Sequence, residues 1–181
     1  MTKTLNFLII LMVILFAVAF SVFGAVCIRY PIKYREAILN AEAETGVNKM
    51  LIISVAKTES NFNQNAVSVA GAIGIMQLKP ETAEYVADMF GLDYMGESEL
   101  YTPETNILLG AYYLKYLQGK FSSTKEILAS YNAGEGVVSK WLDKKEYSSN
   151  GVTLENIPYK ETRDYVKKVD RAQKVYQKIW K

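Results

Sequence analysis

The sequence predicts a mainly α-helical domain with one short irregular or β-like excursion, preceded by an N-terminal transmembrane helix. Three observations carry this reading. Residues 5–28 contain no charged side chain and are dominated by Leu, Ile, Val, Phe and Ala, and an apolar run of more than about 18 residues can span a bilayer as a helix. From Lys33 onward, apolar residues recur at helical spacing between Gly, Pro and Asn punctuation. Between Asn61 and Lys79 that period lapses, and Gly71 and Gly74 imply tight turns or short extended pairing. Residues 1–29 are therefore expected to form a membrane anchor and 30–181 a single domain.

The elements follow in order. Residues 33–45 read as an amphipathic helix with Tyr34, Ala37, Ile38 and Ala41 on one side and Gly46 placed to end it. Asn48 is positioned to cap the next helix, on which Ile52, Val55, Ala56 and Glu59 share a face. Pro80 opens a helix through Phe90 that stops at Gly91. Thr102-Pro103-Glu104 opens another, to about Leu117, apolar on more than one face and so a candidate for the buried central helix. Ser123 and Glu126 have capping-box spacing at the start of the helix leading into Tyr131-Asn132. Asp143 to Pro158, with Asn150-Gly151 as a turn signal, reads as a long polar loop. A last helix, 159–179, sets Tyr165, Val169, Ala172, Tyr176 and Ile179 on one stripe.

Composition excludes several chemistries. The chain has no His, which removes the Ser-His-Asp triad, the Cys-His dyad and the HExxH zinc motif. Cys27 is the sole cysteine, so there is no intrachain disulfide, CxxC pair or cysteine-rich zinc site. No metal or organic cofactor is expected. Lys and Arg number 21 against 19 Asp and Glu, too balanced for a nucleic-acid partner. Thirteen Tyr offer stacking surfaces for sugar rings, or ordinary packing.

Ala17-Val18-Ala19 resembles a signal-cleavage site, which would make the protein secreted. The apolar run continues well past it, favouring an uncleaved single-pass anchor. Val26 is an awkward neighbour for lipidation of Cys27. Lys3 precedes the span while Arg29, Lys33 and Arg35 follow it, a distribution that taken alone favours a cytoplasmic carboxyl-terminal side.

Glu59 is the most informative residue. A carboxylate among aliphatic neighbours is costly to ionise, which raises its pKa toward the range of a general acid; the plain alternative is a solvated carboxylate at a helix end. The neighbouring sequence weighs on this choice. Glu59-Ser60-Asn61-Phe62-Asn63, Ala66-Val67-Ser68 and Gly71-Ala72-Ile73-Gly74-Ile75-Met76-Gln77 resemble the lytic transglycosylase family related to goose-type lysozyme. Tyr131-Asn132-Ala133-Gly134 is similar to a second motif of that family, and Ile157-Pro158-Tyr159-Lys160-Glu161-Thr162-Arg163-Asp164-Tyr165-Val166 to a third. The resemblance covers roughly Tyr34 to Tyr176.

It implies a lysozyme-like catalytic domain in which Glu59 is the catalytic acid and later the base. Ser68 would help orient the carboxylate or a substrate acetamido group. Met76 would form an apolar floor of the groove, and Gln77 would serve as a bidentate amide for sugar groups. Tyr131, Asn132 and Ala133 would lie beside the acid, and Glu161 and Tyr165, four apart on one helix face, would reach back toward the cleft. The expected partner is the peptidoglycan glycan strand, which places the domain on the extracytoplasmic side, against the flanking charges. With one motif carboxylate, the N-acetylmuramic acid acetamido group is expected to act as nucleophile and leave a 1,6-anhydro end. The alternatives are a muramidase on the same fold, drawing a second carboxylate from Asp88 to Glu104, and a non-catalytic membrane-tethered peptidoglycan-binding scaffold.

Overall fold

Helical periodicity is realised as eight α-helices and one 3-10 turn among the residues described by the computed structural model, 2–180, with side chains from Thr4 onward. Met1, Lys181 and the Lys3 side chain, which belong to the expected units and flanking charges, lie outside the described residues. The chain divides into two compact units, residues 1–31 and 32–181.

The first unit is α1 (Thr2–Arg29). At about 1.5 Å per residue it is roughly 40 Å long, against roughly 30 Å for a bilayer's hydrocarbon core. Its large apolar side chains face outward, with Phe16 75% and Phe20 71% exposed. By length and composition it suffices to cross a membrane.

The second unit holds α2 (Arg35–Thr45), α3 (Lys49–Ser60), α4 (Pro80–Phe90), the 3-10 turn Glu97–Tyr101, α5 (Pro103–Lys120), α6 (Thr124–Ala133), α7 (Glu135–Leu142) and α8 (Lys160–Ile179). The boundary residues act as their chemistry demands. The Asn48 side chain accepts from the Met50 N–H at 2.8 Å, Gly46 ends α2 in the left-handed region, and prolines open α4 and α5. Helix α5 is central, touching α2, α3, α4, α6 and the 3-10 turn, and Ile107, Ala111, Leu114 and Leu117 are fully buried along it. Helix α3 packs on α8, burying Ile52, Val55 and Ala56 as expected, and Val169 and Tyr176 opposite. Each buried Ile or Val there contributes about 1.5–3 kcal/mol by leaving water.

Three sequence expectations change. Ser123 and Glu126 form no capping box: Ser123 precedes α6 without capping it, and its hydroxyl instead donates to the Glu126 carboxylate. Glu126 is buried because its other oxygen accepts from the Leu154 N–H at 2.7 Å. Helix α7 is an element in its own right, and the segment after it is less polar in effect than in composition. Leu154 and Ile157 pack there with Val138, Trp141 and Leu142 of α7, and Arg163 Nη1 donates to the Ile157 and Pro158 carbonyls. Ile179 is only half-buried at the end of the α8 stripe.

The excursion from Asn61 to Lys79 carries two isolated antiparallel bridges, Val67 to Ile73 and Ile73 to Leu78. Asn61 and Phe62 both take positive φ (54° and 65°) and turn the chain out of α3. Gly74 (φ 81°) is pressed on its neighbours: a Cβ there would lie 2.3 Å from Asn106 Nδ2 and 2.4 Å from the Leu100 carbonyl. Asn106, wholly buried on α5, makes the matching bonds. Its Oδ1 accepts from the Met76 N–H at 2.7 Å, and its Nδ2 donates to the Ile73 and Leu100 carbonyls at 3.0 and 2.9 Å. Ser60 Oγ adds a bond to the Ile75 carbonyl at 2.8 Å. The irregular segment is thereby fixed to α3 and α5.

Candidate active site

Glu59 sits in the last turn of α3, where the helix leaves the core and meets a cleft of about 630 Å³. Its carboxyl is pushed up to about 7, chiefly by burial and further by the nearby Glu161 charge, with the Tyr165 hydroxyl pulling the other way. A carboxylic acid so tuned still carries a proton near neutral pH, as general acid catalysis requires.

Two phenols support it. The Tyr131 hydroxyl donates to the Met76 carbonyl at 2.9 Å, tying α6 to the excursion. The Tyr165 hydroxyl is buried and lies near enough to Glu59 to favour the ionised acid. Burial and the Glu59 charge push both phenols well above the usual tyrosine range. They remain protonated donors beside the acid.

Six residues singled out in the sequence line the cleft with Glu59: Ser68, Gln77, Tyr131, Asn132, Ala133 and Glu161. Ser68 Oγ accepts from the Ala72 N–H at 2.9 Å, which closes its turn and leaves the hydroxyl proton available to a ligand. Gln77 differs from its expected bidentate role. Its Nε2 already donates to the Ala66 and Gly74 carbonyls at 3.1 and 3.0 Å, so only the acceptor Oε1 remains for substrate. Asn132 stays within α6, and Gly134 alone takes positive φ there.

The other two stand behind the cleft wall. Tyr165 acts through Glu59. Met76 is fully buried, its side chain pressed against Gly110 of α5 so closely that a Cβ at Gly110 would meet Sδ at 2.4 Å. It is therefore not an exposed apolar floor, because the packing of α5 fills its surroundings; its contribution is the carbonyl that holds Tyr131. None of the acidic residues between Asp88 and Glu104 lines the cleft.

Sequence reading passed over several cleft residues, Lys79, Glu81, Thr82 and Tyr113 among them, and one support. Lys79, Glu81 and Thr82 enter from the start of α4, and Tyr113 from α5. Nothing local marks them, since Glu81, Thr82 and Tyr113 read as ordinary helix positions and Lys79 as the residue before Pro80. Asn106 did leave a signal, an amide on an otherwise apolar face of α5.

Comparison with known proteins decides the family. A family model described as the transglycosylase SLT domain matches residues 36–151. The chain belongs to this family. Among its relatives, the soluble lytic murein transglycosylase of Salmonella typhimurium is 36% identical over 144 residues, covering 78% of this chain and 22% of that protein. Membrane-bound lytic murein transglycosylase C of Haemophilus influenzae is 33% identical over 168 residues, covering 80% and 46%. The chain thus spans less than half the length of these SLT relatives. The 70 kDa soluble lytic transglycosylase of Escherichia coli superposes with a TM-score of 0.78 at 30% identity, covering 88% of this chain and 26% of that one. An inactive mutant of the Pseudomonas aeruginosa lytic transglycosylase Slt gives 0.75 at 34%, covering 84% and 25%. The SLT fold is mainly helical and lysozyme-like, with the cleft at the end of α3.

Proposed function

We propose that this protein is a peptidoglycan lytic transglycosylase that cleaves the β-1,4 bond between N-acetylmuramic acid and N-acetylglucosamine and leaves a 1,6-anhydromuramic acid end. The observation that carries this reading is Glu59, a half-buried acid raised to about 7 within a cleft lined by amide and hydroxyl groups. The names of its SLT relatives support the substrate.

Protonated Glu59 donates to the glycosidic oxygen, and the bond from that oxygen to C1 of the muramic acid breaks. The acetamido oxygen of the same sugar attacks C1 and holds it as an oxazolinium. The Glu59 carboxylate then takes the proton of the C6 hydroxyl, whose oxygen displaces the acetamido oxygen at C1. Glu59 ends protonated as it began, and no water is consumed. A C6 hydroxyl held in place competes with water through an effective molarity on the order of 10⁵ M or more. Ser68 and the free Oε1 of Gln77 are placed to hold the acetamido N–H and hydroxyl groups. Helix α1 anchors the protein in the membrane, with residues 32–181 on the extracytoplasmic side where the glycan lies.

Glu161 favours a second reading. It is another carboxylate on the cleft wall, and if it positioned water the same acid would run a muramidase. Mass spectrometry of products released from purified peptidoglycan by the detergent-solubilised chain separates the two. Products one water lighter than reducing-end fragments are expected, and none from Glu59→Gln. Reducing-end products that depend on Glu59 would establish the muramidase. Glycan binding without any product would leave the scaffold.

A further inference from the structure

The aromatic wall of the cleft continues beyond it. Tyr113, a cleft residue, has its ring centre 5.2 Å from that of Tyr131 and 6.3 Å from that of Tyr116, to which it lies nearly parallel. Tyr116 in turn meets Tyr85 edge-on at 5.6 Å. Tyr85 follows the cleft residues Glu81 and Thr82 by four and three positions, so all three share one face of α4. Glu135 follows the cleft residue Gly134 and begins α7. Both its oxygens accept from the Tyr116 hydroxyl at 2.8 Å, and Lys120 Nζ lies 3.6 Å from it and 5.0 Å from the Tyr116 ring.

The arrangement is ordered yet open to water. Tyr85 is 48% exposed, so its ring adds little to the core. An exposed aromatic ring beside a carboxylate and an ammonium suits a sugar, whose C–H face packs on the ring while its hydroxyls donate to the carboxylate. We propose that Tyr85, Tyr116 and Glu135 form an outer subsite for one further N-acetylhexosamine of a glycan strand, beyond the sugars held in the cleft. This rests on the reading of the cleft as a glycan site. The subsite selects for strand length and takes no part in the bond-breaking step.

The test is calorimetric binding of N-acetylglucosamine oligomers, from two to six sugars, to the full-length detergent-solubilised Glu59→Gln chain, which cannot turn them over. Affinity is expected to rise with length. Adding Tyr85→Ala should lower six-sugar affinity about tenfold and leave two-sugar affinity unchanged, whereas Tyr85→Trp should retain the long-oligomer gain. Glu135→Gln should weaken only the long oligomers, and thermal melts would verify that each variant is folded. Equal losses at both lengths, or none with Tyr85→Ala, would overturn the outer subsite while the cleft reading stands. No binding of any length by the folded Glu59→Gln chain would overturn both.

Discussion

At the residue scale, the acidity of Glu59 is a balance of neighbours with opposite signs. Burial and Glu161 raise it, and Tyr165 lowers it. Catalysis that starts from the protonated acid should decline as pH rises through about 7. Tyr165→Phe removes the lowering influence, so the alkaline limb of the pH–rate profile should move to higher pH while kcat falls about tenfold from lost positioning. Glu161→Gln should move that limb to lower pH. A shift of either variant in the opposite direction would contradict these assignments.

The same balance has a folding consequence. Raising Glu59 from 4.5 to about 7 in the folded state means its favourable contribution is fully present below the unfolded pKa and lost as pH rises through the folded one. The difference is about 3 kcal/mol by linkage. Glu59→Gln should therefore melt at a higher temperature than the parent chain at pH 8, with this advantage vanishing toward pH 4. Thermal melts across that range would check it; a constant offset would show that the carboxyl is not strained by burial. The inactive acid variant is expected to be the more stable protein at alkaline pH.

At the element scale, the segment between α3 and α4 owes its shape to one amide and one missing Cβ. Asn106 satisfies the Met76 N–H and two carbonyls, and Gly74 lies against it. Asn106→Leu leaves those buried backbone groups unpaired at about 1–3 kcal/mol each, so a loss of at least about 3 kcal/mol is expected in denaturant titration. Gly74→Ala should also destabilise, by clash and by its positive φ. Because the Met76 carbonyl anchors Tyr131, even the folded fraction of either variant should show reduced kcat. Apart from α7, the helices of residues 32–181 were legible in the sequence because their signals are local: Asn48 and Pro80 at starts, Gly46 and Gly91 at ends, and Ile52, Val55 and Ala56 along a buried face. Glu59 and six of its partners were legible through motif residues. What escaped depends on distant contacts. Leu154 and Ile157 are buried only because α7 forms beside them, Glu126 caps nothing because Leu154 claims its carboxylate, and Met76 is covered because Gly110 admits it.

At the scale of the whole molecule, the two units have opposite surfaces. Helix α1 shows its apolar side chains outward, whereas residues 32–181 bury theirs around α5 and along α3 and α8. A core contained within the second unit implies that its stability does not depend on the first. A chain lacking residues 1–31 should therefore remain soluble without detergent, keep its thermal midpoint within a few degrees and retain Glu59-dependent activity on isolated peptidoglycan. The full chain should float with lipid vesicles and resist alkaline carbonate washing, as an apolar span of roughly 40 Å demands. The flanking charges Arg29, Lys33 and Arg35 oppose an outside domain, while the proposed substrate requires one. Protease added to intact cells with a permeable outer boundary should digest residues 32–181 from outside. Protection there, with digestion only after membrane rupture, would put the domain on the wrong side of the membrane for glycan cleavage and refute the proposed function in the cell, even for a protein active in a test tube.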